Sequence, residues 1–246
     1  MNYLALDAST EACSVALTVN GHVYSRYDLC PQSHSLQLLP MVDSVLKEAG
    51  VALNSLDGLI FGRGPGSFTG VRIGVGVAQG LAFSANLPVV GVSSLQAMAQ
   101  FAFIKHNQTS VFSTIDARMN EIYNGYFVLD ERNIMQPKAL FASNSEKTDV
   151  ESVFEFVTPP AQVQSQFLAQ QIAPVYGVGT GWDAYKDNLH ELKSNVGTPD
   201  ILFPNAESML VIGHDLFEKG AGVSAENAQP VYVRDTVSWK KLPGKT

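Results

Sequence analysis

The chain has 246 residues, 46% of them hydrophobic, enough to bury a large core as one α/β domain or as two half-size lobes. Its 16 Lys and Arg against 23 Asp and Glu leave a net charge of -7, which excludes the basic footprint of a protein that holds nucleic acid tightly by itself; any RNA must be held largely by a partner. Cys13 and Cys30 stand in no C-x-x-C or zinc-finger spacing, so a disulfide framework and a sequence-local zinc module are excluded, and the thiols read as reduced, buried side chains of a cytosolic protein.

In chain order, the opening MNYLALDAST lacks a basic n-region and runs into Asp7, so it reads as structure and not as a secretory signal. Strands are predicted at Tyr3 to Ala8, Cys13 to Val19 and Val23 to Leu29, with Asn20-Gly21 as a hairpin turn, giving a β-meander. A helix from Ser35 to Ala49 ends at Gly50. It carries Leu36, Leu39, Val42 and Leu46 on one side and Leu38, Met41, Val45 and Ala49 on another; two apolar faces imply two packing partners. Pro40 inside it predicts a kink. Then follow strand Leu59 to Gly62, a glycine-rich turn, helix Phe68 to Ala85, strand Val89 to Val92 and helix Leu95 to Ile104.

The stretch from Ile73 to Ile104 has no charged residue and is long enough to cross a bilayer. Gln79, Ser84, Asn86, Pro88, Ser93, Ser94 and Gln96 interrupt it, so it reads as buried helix, strand and helix, with no membrane span. The second half repeats the first in degraded form. Its strands are predicted at Val111 to Ile115, Ile122 to Leu129 and Ile134 to Phe141, then helix Gln162 to Gln171 and strand Val175 to Val178. A late helix Ala206 to Lys219 and a short strand Pro230 to Val233 finish the fold, and VSWKKLPGKT is left as a tail. The segment Thr148 to Gln164 has few period signals. Two lobes are expected, residues 1–105 and 106–246, with the late helix packing back on the first.

The glycine segment Gly62 to Gly76 matches neither common phosphate motif. It lacks the Lys-Ser/Thr of a P-loop, and Gly64, Gly66 and Gly70 have the wrong spacing for G-x-G-x-x-G. Read locally it is a structural turn, with Ser67 or Thr69 capping the next helix. Within that helix, Gly70, Gly74, Gly76 and Gly80 put small residues at four-residue spacing. Each interior glycine costs about 0.8–1.0 kcal/mol relative to Ala, so close packing must offset them, either inside the lobe or at a subunit interface. Asp7, Ser9 and Thr10 after the first strand are placed either to face a metal-bound phosphate or to make an Asx or Ser/Thr turn. Five histidines show no helical metal pairing, so no metal site is expected, and no Ser/His/Asp arrangement is assignable.

GRGPGSFTGVRIGVGVAQGLA, LPVVGVSSLQAMA, LALDASTEACSVAL, HSLQLLPMVDSVL and PVYVRDTVSWKKLP together resemble the bacterial TsaB family almost end to end, most weakly from Ile134 to Ala173. The resemblance implies an α/β fold of two ribonuclease-H-like lobes, as in the actin, sugar kinase and heat-shock ATPase superfamily, the second lobe reduced. It implies a non-catalytic subunit that activates the catalytic paralogue TsaD in moving threonylcarbamoyl from threonylcarbamoyl-AMP to the N6 amine of the adenosine beside the tRNA anticodon. The ATPase TsaE joins that pair, tRNA is met only through the complex, and the chain alone forms a homodimer. Two metal-binding histidines of TsaD correspond here to Ser94 and Met98, and its second-lobe phosphate loop to Thr114-Ile115-Asp116-Ala117-Arg118. No cofactor is required of this chain. A nucleotide contact at the complex interface would use Asp7, Ser9, Thr10, Gly177, Gly179 and Gly181. The partner face is expected to comprise Leu38, Val42, Val45, Gly70, Gly74, Val77, Ala78 and Leu81. The competing readings are an ATP-dependent phosphotransferase or ATPase of the same superfamily, and a peptidase, a label that branch has carried.

Overall fold

The computed structural model describes residues 1–139, 154–169, 174–195 and 199–234. The first 106 residues form the expected meander and helices: β1 (Tyr3–Asp7), β2 (Ala12–Val19), β3 (His22–Leu29), α1 (His34–Ala49), β4 (Gly58–Gly64), α2 (Phe68–Ala85), β5 (Val89–Ser93) and α3 (Ser94–His106). The sheet order is β3-β2-β1-β4-β5. Strands β1, β2 and β3 pair antiparallel, and β4 and β5 add in parallel. Asn20 and Gly21 both take positive φ, 50° and 83°, the turn that the Asn-Gly signal demands.

Both faces of this sheet are covered, and the period of two in β1 shows it. Leu4 and Leu6 enter one core with Leu38, Val42 and Val45 of α1 and Val71, Val75 and Ala78 of α2. Tyr3 and Ala5 face the opposite core. The latter is closed by α7 (Ala206–Glu218), whose Met209, Leu210 and Ile212 pack there with Ile60 and Val90. The late helix of the chain therefore lies on the first sheet.

The second sheet is assembled from β6 (Ser110–Asp116), β7 (Ile122–Leu129), β8 (Met135–Pro137), β9 (Glu155–Thr158) and β10 (Tyr176–Val178). Its order is β10-β6-β7-β8, with β9 also on β7. Strand β10 runs parallel to β6 as β4 does to β1. Among the described residues no strand occupies the place of β5, which is the sense in which this half is reduced. Helix α4 (Pro160–Ala169), α5 (Gly181–Ala184) and α6 (Lys186–Leu189) cover one face around Phe112, Phe167 and Trp182. Helix α3 covers the other with Leu95, Met98 and Ala102.

Several boundaries differ from expectation. Helix α1 starts at His34, one residue before the expected Ser35, and contains Pro40. Pro230 to Val233 is not a strand: one backbone bond, Val231 N to the Arg63 carbonyl at 2.8 Å, ties it to the end of β4. Strand β9 and helices α5 and α6 carried too short a period to be predicted. The far end of the strand predicted to Phe141, residues 148–153, the last two residues of helix Gln162 to Gln171 and the VSWKKLPGKT tail lie outside the described residues. The uncharged run from Ile73 resolves into α2, β5 and α3, and among the described residues no helix is long and apolar enough to cross a membrane.

Candidate partner face and the cleft between the sheets

The cleft is built where β1 ends. Asp7 is buried, and its carboxylate accepts from Ser9 N at 2.9 Å and from Ser9 Oγ at 2.9 Å. Ser9 Oγ meets Ser94 Oγ at 2.7 Å. Burial pushes Asp7 up to about 6, against the lowering effect of the Ser9 bonds and the charge of His34. The Thr10 carbonyl is 2.6 Å from His34 Nε2. The first-lobe candidates Asp7, Ser9 and Thr10 thus form a buried turn tied to the starts of α3 and α1.

Gly177, Gly179 and Gly181 lie across the second sheet's edge, and their lack of side chains has causes inside the chain. Gly179 has φ of +93°, and a Cβ there would fall on the Thr114 carbonyl oxygen. Those on Gly177 and Gly181 would meet Trp182 and Thr114. In the segment corresponding to a phosphate loop, the amides of residues 116 to 118 are bonded within the chain. Asp116 N donates to Thr180 Oγ1 at 3.1 Å, Ala117 N to the Glu121 carbonyl at 3.0 Å and Arg118 N to Asp116 Oδ1 at 2.9 Å. Ser94 is buried against Ser9, and Met98 is buried in the α3 core.

The expected partner face divides. Leu38, Val42, Val45, Gly70, Gly74 and Ala78 are buried within the chain itself, which corrects their assignment to an interface. The reason is local: the turn Ala8-Ser9 presses on the start of α2. A Cβ on Gly70 would fall on the Ala8 carbonyl oxygen, and one on Gly74 would sit 3.6 Å from Ala8 N. Ser67 is the helix cap, accepting from Gly70 N at 3.3 Å. Val77 and Leu81 alone of that set stay half-exposed.

The exposed face of α2 is rotated from the expected one. It presents Arg72, Gly76 and Gly80 to solvent, and a Cβ on Gly76 or Gly80 would meet nothing within 4 Å among the described residues. Beside it a groove is lined by Ser35 and Leu39 of α1 and by Ile73, Gly76, Val77, Gly80 and Leu81 of α2. Leu36 is 73% exposed and Leu39 48%. At one end Arg72 lies 3.3 Å above the Phe68 ring, and its Nε donates to Tyr232 Oη at 2.8 Å. Sequence periodicity found that α1 is apolar on two sides and found the glycine series of α2, but it grouped Val42 with Leu36 and Leu39, whereas Val42 is buried with Leu38 and Val45. It could not tell which stripe the sheet would take, so Leu36, Leu39, Ile73, Gly76 and Gly80 were missed as a group.

Two five-stranded sheets, each opening with antiparallel strands and extended by parallel ones, with α3 between them, define a two-sheet α/β protein. Residues 28–237 match the family model of TsaD, tRNA N6-adenosine threonylcarbamoyltransferase. The chain is 44% identical over its whole length to the tRNA threonylcarbamoyladenosine biosynthesis protein TsaB of Escherichia coli, covering all of that protein. To the TsaB of Haemophilus influenzae it is 42% identical, covering all of this chain and 98% of that one. The solved structure of YeaZ from Pseudomonas aeruginosa superposes with a TM-score of 0.76 at 40% identity, over 94% of this chain and 99% of that one. The chain belongs to the TsaB family.

Proposed function

We propose that the chain is a non-catalytic subunit of tRNA threonylcarbamoyladenosine synthesis, which binds a TsaD-type catalytic chain through the exposed α1–α2 face and activates its transfer of threonylcarbamoyl to adenosine N6. The observation that carries this is Gly76 and Gly80. Both sit inside a helix where glycine costs about 0.8–1.0 kcal/mol each, yet among the described residues nothing fills the space a side chain would take. The loss is offset if another backbone approaches there, and the exposed Leu39 lines the same groove as an apolar anchor for it. A chain that itself matches the TsaD family model can present this helix pair to the corresponding pair of a paralogue, or to a second copy of itself when the paralogue is absent.

The non-catalytic part of the proposal is supported by the closed turn at Asp116 to Arg118. A phosphate loop offers free amides to its ligand, and these three amides are spent on internal partners. The same satisfaction argues against the phosphotransferase reading. The peptidase reading has no assignable nucleophile and base behind it. A TsaE-type ATPase and tRNA then meet the chain only within the complex.

The test is titration of the purified chain against its TsaD-type partner, with tRNA modification assayed in parallel. Gly76→Leu and Leu39→Glu should each weaken association by about 10–100-fold, the effect of removing or obstructing an interface anchor, and lower modification while the lone chain keeps its circular dichroism and melting temperature. Unchanged association in both variants would overturn the interface. ATP turnover or modification by the lone chain at the rate of the complex would overturn the non-catalytic role.

A further inference from the structure

Behind the Asp7–Thr10 turn, at the start of α1, the first lobe gathers three metal-ligating side chains that lie far apart in sequence. Cys13 is on β2, Cys30 follows β3, and His34 is the first residue of α1. One ligand atom from each, the two Sγ and a ring nitrogen of His34, all lie within 4.8 Å of one another. Cys13 and Cys30 are 0% and 6% exposed, and His34 is 9% exposed. The geometry follows from the hairpin and the turn after it. Cys13 pairs with Asp28 in the β2–β3 register, and Cys30 N donates to the Glu11 carbonyl at 3.0 Å, so Cys30 lies two residues further along the same face. A turn closed by Ser33 N to the Cys30 carbonyl at 2.9 Å then brings His34 over both thiols.

We propose that Cys13, Cys30 and His34 form a buried site for a thiophilic d10 cation, Zn2+ or Cu+, which fastens the start of α1 to the β2–β3 hairpin. In a tetrahedral thiolate and imidazole site, metal bonds of about 2.0–2.3 Å hold the donor atoms roughly 3.5 Å apart, so the three side chains need draw together by about 1 Å. The Thr10 carbonyl supplies the kind of outer hydrogen-bond partner that fixes a metal-binding histidine. His34 Nε2 faces the Thr10 carbonyl at 2.6 Å, an acceptor for the proton on that nitrogen, so that Nδ1 is the nitrogen that would ligate once deprotonated by the cation. Two thiolates, a neutral imidazole and Zn2+ sum to zero charge, the condition under which an ionic cluster is least costly to bury. Simple diagonal placement of Cys13 and Cys30 across the hairpin sets their Cα atoms about 7–8 Å apart, beyond the usual reach of a disulfide, which favours a bridging cation over a direct bond. The absence of ligand histidines at Ser94 and Met98 does not bear on this cluster, whose ligands come from β2, the residue after β3 and the start of α1.

The experiment uses the full chain, reduced and stripped with chelator, titrated separately with Zn2+ and with Cu+ against chromophoric competitors, and with Co2+ as a spectroscopic probe. The expected result is one equivalent of Zn2+ or Cu+ per chain, a thiolate-to-Co2+ charge-transfer band, and a melting temperature raised by about 5 °C or more at a hundredfold excess of cation over Kd. Cys30→Ala and His34→Gln should each weaken binding by roughly 100-fold or more, since even outer partners of such ligands are worth about 10–100-fold, while His22→Gln on the exposed hairpin leaves it unchanged. No retained cation in the wild-type chain, a Co2+ spectrum without thiolate bands, or binding indifferent to Cys30 and His34 would each overturn the proposal. The Co2+ spectrum is read on the wild-type chain, so the test holds even if a variant does not fold.

Discussion

Asp7 shows how one side chain carries a pH dependence. Its folded-state value of about 6 lies above the ordinary 3.8, so folding favours the protonated form. The resulting penalty is absent below pH 3.8, grows between 3.8 and 6 and is complete above 6. One pKa unit corresponds to about 1.4 kcal/mol, and the penalty at neutral pH is therefore roughly 3 kcal/mol at most. Asp7→Asn keeps an oxygen for Ser9 and removes the charge. Urea denaturation of that variant should show a flatter stability profile than wild type from pH 4 to 6, and a higher stability at pH 7. A parallel profile would mean that Asp7 titrates normally. The glycines of α2 make a second residue-scale contrast. Gly70→Ala should destabilise the lone chain by about 1–3 kcal/mol, because its Cβ has nowhere to go but the Ala8 carbonyl. Gly76→Ala, with open space around it, should stabilise the lone chain by up to about 1 kcal/mol. Equilibrium unfolding of the two variants separates packing glycines from interface glycines.

Among the elements, α3 is the one that joins the two halves. Its Gln100 is buried and spans two backbone groups of the second sheet's edge: Nε2 donates to the Asn133 carbonyl at 3.0 Å, and Oε1 accepts from Met135 N at 2.8 Å. Gln96 Nε2 adds a bond to the Met135 carbonyl at 2.8 Å. On another side, Ser208 Oγ of α7 donates to the Ala97 carbonyl at 2.7 Å. Gln100→Leu keeps the volume and strands the Met135 amide and Asn133 carbonyl, so it should cost about 1–3 kcal/mol in chemical denaturation. If the cost is near zero, water reaches that edge and α3 does not hold the halves together through these bonds. This element was legible from its apolar composition, but its glutamines read as mere interruptions of an uncharged run; only the neighbouring strand gives them partners.

For the molecule as a whole, the net charge of -7 sets the expectation for RNA. Nonspecific affinity at physiological salt rests on phosphate neutralisation by Lys and Arg, so tRNA should bind the lone chain with a Kd weaker than about 10 μM and be retained only when the catalytic partner is present. Fluorescence anisotropy with labelled tRNA at physiological salt measures both. Submicromolar binding by the lone chain would contradict the reading.

Much of this was written in local pattern. The meander, the Asn20-Gly21 turn, the bounds of α2 and the degraded repeat follow from alternation, capping residues and turn residues, which act over a few neighbours and so can be read from the chain alone. The family resemblance likewise lies in contiguous motifs. What the sequence could not decide is orientation and juxtaposition. Leu38 and Leu39 are adjacent in α1, yet one is buried and the other exposed, because the sheet accepts only one stripe of a helix that is apolar on two. Gly70 and Gly76 carry the same cost of helix entropy, and only the position of the Ala8 carbonyl gives one of them an intramolecular reason to be glycine. Cys13, Cys30 and His34 have no motif spacing, and a hairpin register with a four-residue turn brings them together. Periodicity determines which residues share a face; the packing of distant segments decides what that face meets.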